Sequence, residues 1–317
     1  MGALLSQLML DRDEGDYAMT GEAQLRHAHV YVKQSFSWDC GVACASMAQR
    51  WACCSSNSNS NSSSSDFGLD TGPRPAQSMS VSKATPLWTV DIYCFLRGGL
   101  LGLAGGPGLP FSAAFSTDVP GLNTEHSSLV WYQSHLEDDR SRVDKQFQLA
   151  AQQGWEVDAA VCTEDLVQMF ALDASAAAAA ASSTSGEDVS EDAAIGASAD
   201  RSIGTNSIGT SGGGAIDATS AAGGGYFEER GLAAIVLVNN LHLARDFRNG
   251  GAAAPSADAY SGHYVFLLGF DSRCGDALYL DPAKDGSLRK CTARLFAQAR
   301  DSPGTDRDMV LLRRRRQ

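Results

Sequence analysis

The chain has 317 residues, of which 44% are hydrophobic and 20% charged, and its formal net charge is −12. This much apolar material can fill one sizeable core. Because an acidic chain repels phosphate, nucleic acid is not an expected partner.

The eight cysteines contain no Cys-x-x-Cys pair, and the six histidines are scattered along the chain. Neither a zinc site nor a disulfide framework is therefore predicted, and the chain carries no recognisable secretory signal. We expect a reducing compartment, the cytoplasm, with the nucleus as the alternative.

Residues 1–25 are predicted to form a flexible N-terminus. The letters MGALLS at residues 1–6 match the N-myristoylation pattern, a short motif that also occurs by chance. The acidic letters at residues 11–14 would oppose an anionic membrane, so an acyl chain on Gly2 would give only weak membrane association.

The first predicted helix begins where the extended, aromatic stretch at residues 34–38 ends. Apolar residues then recur at helical spacing as far as about Trp51, and Asp39 is positioned to cap the helix. Cys40 would lie in the first turn. Unpaired backbone N–H groups and the helix dipole favour the reactive thiolate there.

Two neighbours of Cys40 are candidates for a supporting role. Gly41 would leave room for a substrate, and the side-chain amide of Gln34 could donate to a developing oxyanion. The alternative is that Cys40 is only a small buried hydrophobe, as most intracellular cysteines are.

Two low-complexity segments are predicted to be disordered insertions into one domain, because neither has the apolar periodicity needed to form a core. They are the Ser/Asn-rich residues 55–83 and the Ala/Ser/Gly-rich residues 173–225. The single domain would span residues 26–312 and leave a basic tail at residues 313–317. The other elements predicted before His263 are helices at 89–97, 139–153 and 163 to about 172, and strands at 155–162 and 233–239.

A β-hairpin is predicted from the apolar run at residues 263–270, the turn-rich residues that follow, and a second short run at 277–280. In an antiparallel pair the start of the first strand lies beside the end of the second. We therefore expect His263 and Asp281 to meet, with the carboxylate orienting the imidazole as in a nucleophilic triad. A strand-end histidine and a turn-forming aspartate are the alternatives. A last short strand is predicted at 309–312.

Early helices and late antiparallel strands predict an α+β fold in which the helix of the nucleophile packs on the sheet. The order Gln34, Cys40, His263, Asp281 resembles the papain-like double-glycine peptidases that trim bacteriocin leaders. A second resemblance extends over most of the ordered chain, to the guanylyl cyclase domain-containing family of plants and animals. It rests on the letters QSFSWDCG at 34–41, LWTVDI at 87–92, RVDKQF at 142–147, AIVLVN at 234–239, GHYV at 262–265, DPA at 281–283 and GTD at 304–306.

The two resemblances imply different chemistry. The first implies a papain-like fold and a thiol hydrolase without a cofactor, acting on a peptide or protein substrate. The second implies conversion of GTP to cyclic GMP with Mg²⁺ or Mn²⁺, although the chain contains no Walker-type phosphate loop. A non-catalytic binding module on the same scaffold is the third hypothesis. The residues themselves favour the thiol hydrolase, with Cys40, His263, Asp281 and Gln34 as its site.

Overall fold

The computed structural model describes residues 17–18, 27–53, 87–98, 111–128, 130–184, 231–243 and 259–315. Their helices are α1 (Cys40–Cys53), α2 (Thr89–Gly98), α3 (Val130–Gln152), α4 (Thr163–Thr184), α5 (Asn240–Leu243) and α6 (Ala293–Arg300), with a 3₁₀ turn at Thr124–Ser128. Their strands are β1 (Tyr17–Ala18), β2 (Phe111–Thr117), β3 (Val157–Ala159), β4 (Leu232–Asn239), β5 (Gly262–Phe270), β6 (Ala277–Leu280), β7 (Leu288–Cys291) and β8 (Met309–Arg314).

These strands form one sheet in the order β1-β7-β6-β5-β4-β8-β2-β3. Within the described part of the chain, β2 and β3 are the one parallel pair of neighbours, and the other neighbours are antiparallel. The α+β class predicted from the sequence is therefore confirmed.

The sheet is covered on both faces, which explains why β4 and β5 are almost continuously apolar. One face packs against α1 and α2, where Met47, Trp51 and Ile92 contact alternate residues of the central strands. The other face packs against α4 and α6, where Phe170 and Phe296 contribute to a second core. None of the helices in the described ranges has the length and apolarity needed to cross a bilayer.

The elements that frame the candidate site agree closely with the sequence predictions. Helix α1 begins at Cys40, and the hairpin strands β5 and β6 begin and end within a residue of the predicted bounds. Other predicted bounds are wrong. The predicted strand at 155–162 shrinks to Val157–Ala159, because β3 is an edge strand that pairs only with β2.

Helices α3 and α4 are both longer than predicted. The predicted helix starts at residue 139, whereas α3 starts at Val130, and the added part contains Leu136, which is buried against Trp88 and Leu122. Helix α4 extends beyond residue 172 to Thr184, so the start of the second predicted insertion is wrong. Alanine has the highest helix propensity, and the alanine-rich run can therefore lengthen a helix without burying an apolar face.

Several described elements were not predicted, namely β1, β2, β7, α5 and α6. Helix α6 did have a local signal, because the Thr292 hydroxyl accepts a hydrogen bond from the Leu295 amide as an N-cap. Strand β1 pairs with β7, which corrects the prediction of flexibility at residues 17–18. Residues 1–16, the insertion at 55–83 and residues 185–225 lie outside the described ranges.

The basic residues at the C-terminus are not all a solvated tail. Arg313 and Arg314 continue β8 and pair with β2, which corrects the predicted tail boundary at 313. The guanidinium of Arg314 lies 4.2 Å from the centroid of the Trp51 ring, and it also donates a hydrogen bond to the Trp51 carbonyl. This residue therefore connects the last strand to the end of α1.

We predict that Arg314→Ala lowers the free energy of unfolding by about 0.5–2 kcal/mol, because it removes a cation–π contact and a hydrogen bond. Urea denaturation measures the change. Arg313→Ala is the matched control, since Arg313 is exposed on the same strand, and its effect should stay within about 0.5 kcal/mol. Equal losses in the two variants would contradict the assignment.

Candidate functional site

His263 and Asp281 meet at the edge of the sheet, at the start of β5 and directly after β6. Nε2 of His263 donates to Oδ1 of Asp281 at 2.7 Å, and both side chains are buried. The same carboxylate oxygen accepts the backbone N–H of Ala283 at 2.8 Å. The expected meeting of the two residues across the hairpin is therefore present in the structure.

A β-bulge in β5 explains how these two side chains come to share a face. Leu267 pairs with Tyr279, whereas Gly269 pairs with Leu278, so Leu268 is an extra residue in the ladder. Gly269 has a φ of 150°, a conformation that glycine adopts readily. Beyond the bulge Phe266 pairs with Leu280, and continuing this register sets Asp281 opposite Val265. Val265 is two residues after His263, so Asp281 and His263 share one face of the hairpin.

Cys40 is the first residue of α1 and is buried. Its side chain interacts with that of His263 and contributes to raising the pKa of the imidazole. Because Nε2 of His263 is engaged by Asp281, Nδ1 is the ring nitrogen left for the thiol. The structure thus brings together a thiol, an imidazole and a carboxylate in the order that a nucleophile, a base and an orienting group require.

The pKa values of the pair respond to this arrangement. Burial alone would lower the pKa of His263, but hydrogen bonds to Asp281 and Cys40 and the charges of both outweigh it and raise the pKa to about 9. Burial would raise the pKa of Asp281, but the hydrogen bond and charge of His263 hold it below its ordinary value. Both directions favour an imidazolium paired with a carboxylate.

The segment before Cys40 differs from its predicted geometry. Nε2 of Gln34 donates to the Phe36 carbonyl at 2.9 Å, so this amide is used within its own loop. Asp39 does not cap α1 with its carboxylate, which instead accepts the backbone N–H groups of Ser35 and Phe36, both at 3.0 Å. The carboxylate can close this loop because its short side chain turns back toward the preceding amides.

Gly41 has a packing role that the sequence did not reveal. A Cβ at this position would lie 2.7 Å from Cδ1 of Ile92 in α2 and 3.2 Å from Cδ2 of Tyr264 in β5. The missing side chain lets α1 approach both elements closely. The space beside Gly41 is therefore filled by the core, and the expectation of room for a substrate is not met there.

Two residues that were not predicted, Asn239 and Tyr260, help to fix the segment that precedes His263. The buried side chain of Asn239 donates to the Ala259 carbonyl and the Ser302 hydroxyl, both at 2.9 Å, and accepts the N–H of Ser261. Tyr260 folds back over Gly262, where an added Cβ would lie 2.6 Å from the Tyr260 hydroxyl. A buried asparagine at the end of an apolar strand was the available signal for Asn239.

A metal-dependent cyclase would need carboxylates that converge on a divalent cation. Among the residues that the structure describes, no group of three or more His, Cys, Asp or Glu side chains could hold a metal ion.

Comparison with known proteins gives a family match and one informative relative. A protein-family model described as guanylylate cyclase matches residues 29–185 and 226–312 of the chain. The chain is also 23% identical over 302 residues to a protein of Arabidopsis thaliana named Guanylyl cyclase 1, covering 94% of this chain and 81% of that protein. No solved structure matches the chain.

We predict that Asp281→Asn lowers the pKa of His263 from about 9 by roughly 1–3 units, because it removes the adjacent negative charge. An NMR titration of the histidine ring protons measures the midpoint. Asp285→Asn is the matched control, because Asp285 belongs to the same turn and bonds to Ser287. Identical midpoints for His263 in the two variants would contradict the assigned ion pair.

We predict that Gly41→Ala lowers the free energy of unfolding by about 1–3 kcal/mol, because the new methyl group overpacks the core. Ile92→Val removes the atom that the methyl group would meet, and alone it should cost about 0.5–1.5 kcal/mol. The double variant should therefore be more stable than the sum of the single losses indicates. Urea denaturation of the four proteins measures this coupling, and strictly additive losses would contradict the packing role.

Proposed function

The chain belongs to the guanylylate cyclase family, and we propose that it carries a thiol hydrolase site formed by Cys40, His263 and Asp281. The observation that carries the proposal is the buried imidazole of His263, whose Nε2 lies 2.7 Å from Oδ1 of Asp281 and whose pKa is raised by interactions with both Asp281 and Cys40. We further propose a papain-like arrangement, in which the helix of the nucleophile packs against the sheet that carries the base.

The proposed reaction is acyl transfer through a covalent intermediate. The sulfur of Cys40 attacks an acyl carbon while its proton resides on His263, whose raised pKa favours the imidazolium. The imidazolium then gives this proton to the leaving amine. Water, deprotonated by His263, attacks the thioester and releases the acid and the free thiol. Peptide or isopeptide bonds are the substrates that suit this chemistry.

Stabilisation of the oxyanion has two sources in this scheme. Backbone N–H groups at the start of α1 have no partner within the helix and are candidates for donors to the oxyanion. The amide of Gln34 could add a second donor, but only after it leaves the Phe36 carbonyl that it contacts at 2.9 Å. We therefore assign Gln34 a conditional role that requires a rotation of its side chain.

Asp281 acts as a positioning residue in this scheme. Its hydrogen bond fixes the ring orientation and leaves the other ring nitrogen directed to the thiol. Its negative charge also stabilises the imidazolium that forms when Cys40 loses its proton. Both effects require the carboxylate to remain ionised, and its lowered pKa ensures this at neutral pH.

Guanylyl cyclase activity is the second candidate, and the observations that favour it are the family match and the name of the Arabidopsis relative. It would consume GTP with Mg²⁺ or Mn²⁺ and would not use the thiol of Cys40. A binding module that keeps the site geometry without turnover is the third candidate. The three differ in what substitution of Cys40 should do.

We predict that an activated ester acylates Cys40 and is turned over, and that His263→Ala slows this turnover about 10²–10⁴-fold, because the base is lost. Mass spectrometry locates the acyl group, and release of the leaving group gives the rate. Cys53→Ser is the matched control, since Cys53 is an exposed thiol on the same helix. This control should retain the turnover.

The same preparations separate the alternatives. GTP turnover with Mg²⁺ or Mn²⁺ that survives both Cys40→Ala and His263→Ala, in protein that is not acylated at Cys40, would favour the cyclase and contradict the thiol hydrolase. Folded wild-type protein with neither activity would leave the binding module, which predicts that Cys40→Ala retains its partners.

A further inference from the structure

An aromatic pair stands directly before the nucleophile. Phe36 and Trp38 are stacked with 5.3 Å between their ring centroids and an angle of 5° between their planes. Phe36 is 50% exposed, although most large apolar side chains in the described ranges are buried. Exposure of an aromatic ring that could have been buried forgoes a favourable transfer from water.

The pair is held in place by its own loop. The carboxylate of Asp39 accepts the N–H groups of Ser35 and Phe36, and the Gln34 side chain donates to the Phe36 carbonyl. The backbone N–H of Gln34 donates to the Pro282 carbonyl at 3.0 Å, which attaches this loop to the turn after Asp281. A loop with these constraints presents its rings in one orientation, which reduces the entropy cost of binding to them.

The position of the pair relative to Cys40 sets what can reach it. Trp38 is two residues and Phe36 four residues before Cys40, so their Cα atoms lie within roughly 7 and 14 Å of the Cys40 Cα. An extended peptide advances about 3.3 Å per residue. A side chain within about four residues of the attacked carbonyl can therefore reach the rings while that carbonyl lies at the thiol.

We propose that Phe36 and Trp38 form a recognition subsite that binds an apolar, preferably aromatic, side chain of the acyl substrate within about four residues of the bond that Cys40 attacks. This inference rests on the proposed thiol hydrolase function. The two stacked rings offer a flat apolar surface, and the one carboxylate in the loop, that of Asp39, already accepts two backbone N–H groups. The subsite therefore selects by stacking and apolar burial and contributes no charge selection of its own.

Four pairs of peptidyl chloromethyl ketones test the subsite, and the two members of each pair differ only in having Phe or Ser at one of about four positions before the reactive group. The measured quantity for each pair is the ratio of the two second-order rate constants for alkylation of Cys40. Phe36→Ala should lower the Phe-to-Ser ratio of at least one pair about tenfold, which corresponds to the loss of about 1.4 kcal/mol. Phe36→Tyr should restore the ratio, because it keeps a stacked ring.

Leu172→Ala is the matched control, since Leu172 is an exposed apolar residue on α4 with 71% of its surface accessible, and it should leave the ratio unchanged. Ratios that are the same in wild type and Phe36→Ala for every pair overturn the subsite. Protection of Cys40 by GTP or guanosine that depends on Phe36, without any Phe-to-Ser preference, also overturns it, because the rings would then bind a nucleobase.

Failure of the thiol chemistry itself has a separate signature. If alkylation of Cys40 by iodoacetamide does not depend on His263, the proposed function fails whatever the ratio is. The subsite is then tested on Cys40→Ala protein by calorimetry with the unreactive peptide amides. Tighter binding of the Phe amide that is lost in the Cys40→Ala, Phe36→Ala double variant supports the subsite, and equal Kd values for the Phe and Ser amides overturn it.

Discussion

The register between β5 and β6 is the constraint on which the site depends. Side chains that face each other across two strands point to the same face, and a shift of one residue sends them to opposite faces. The extra residue Leu268 changes the register once along the hairpin. Without it, the pairing of Gly269 with Leu278 would continue to place Asp281 opposite Phe266, on the face away from His263. A local irregularity far from the thiol therefore determines whether base and carboxylate can meet.

Burial on both faces keeps this register fixed. A slip of β5 by one residue would move Tyr264, Phe266 and Leu268 out of one core and Val265 and Leu267 out of the other. Each such side chain contributes about 1.5–3 kcal/mol when it is buried. The same packing explains why the buried pair of His263 and Asp281 is sustained, since its desolvation cost is set against a core that cannot rearrange without larger losses. The packing of the sheet thus fixes the relative positions of His263 and Asp281.

The parts of the molecule that sequence patterns predicted are those formed by neighbours along the chain. The helix that begins at Cys40 follows from apolar spacing, and the meeting of His263 with Asp281 follows from a hairpin with a short turn. Strand β2 could not be predicted in this way, because it is defined by pairing with β8 almost 200 residues away. The role of Gly41 was also inaccessible, since it depends on Ile92 of another helix. The loop bonds of Gln34 and Asp39 compete with more familiar roles of these residue types, and only the folded geometry decides between them.

The segment that precedes Cys40, residues 31–39, is hydrogen-bonded to the turn that carries Asp281. The Tyr31 hydroxyl donates to the Lys284 carbonyl at 2.6 Å, and burial together with the charges of Asp281 and Asp285 raises its pKa to about 12, so it remains a donor at neutral pH. The backbone N–H of Gln34 adds a hydrogen bond to the Pro282 carbonyl. A movement of the loop that contains Phe36 would therefore also displace the turn that contains Asp281, the residue that orients His263. Because one connected segment would hold the substrate side chain, the thiol and the orienting carboxylate, binding at the aromatic pair would stabilise the arrangement that acyl transfer requires.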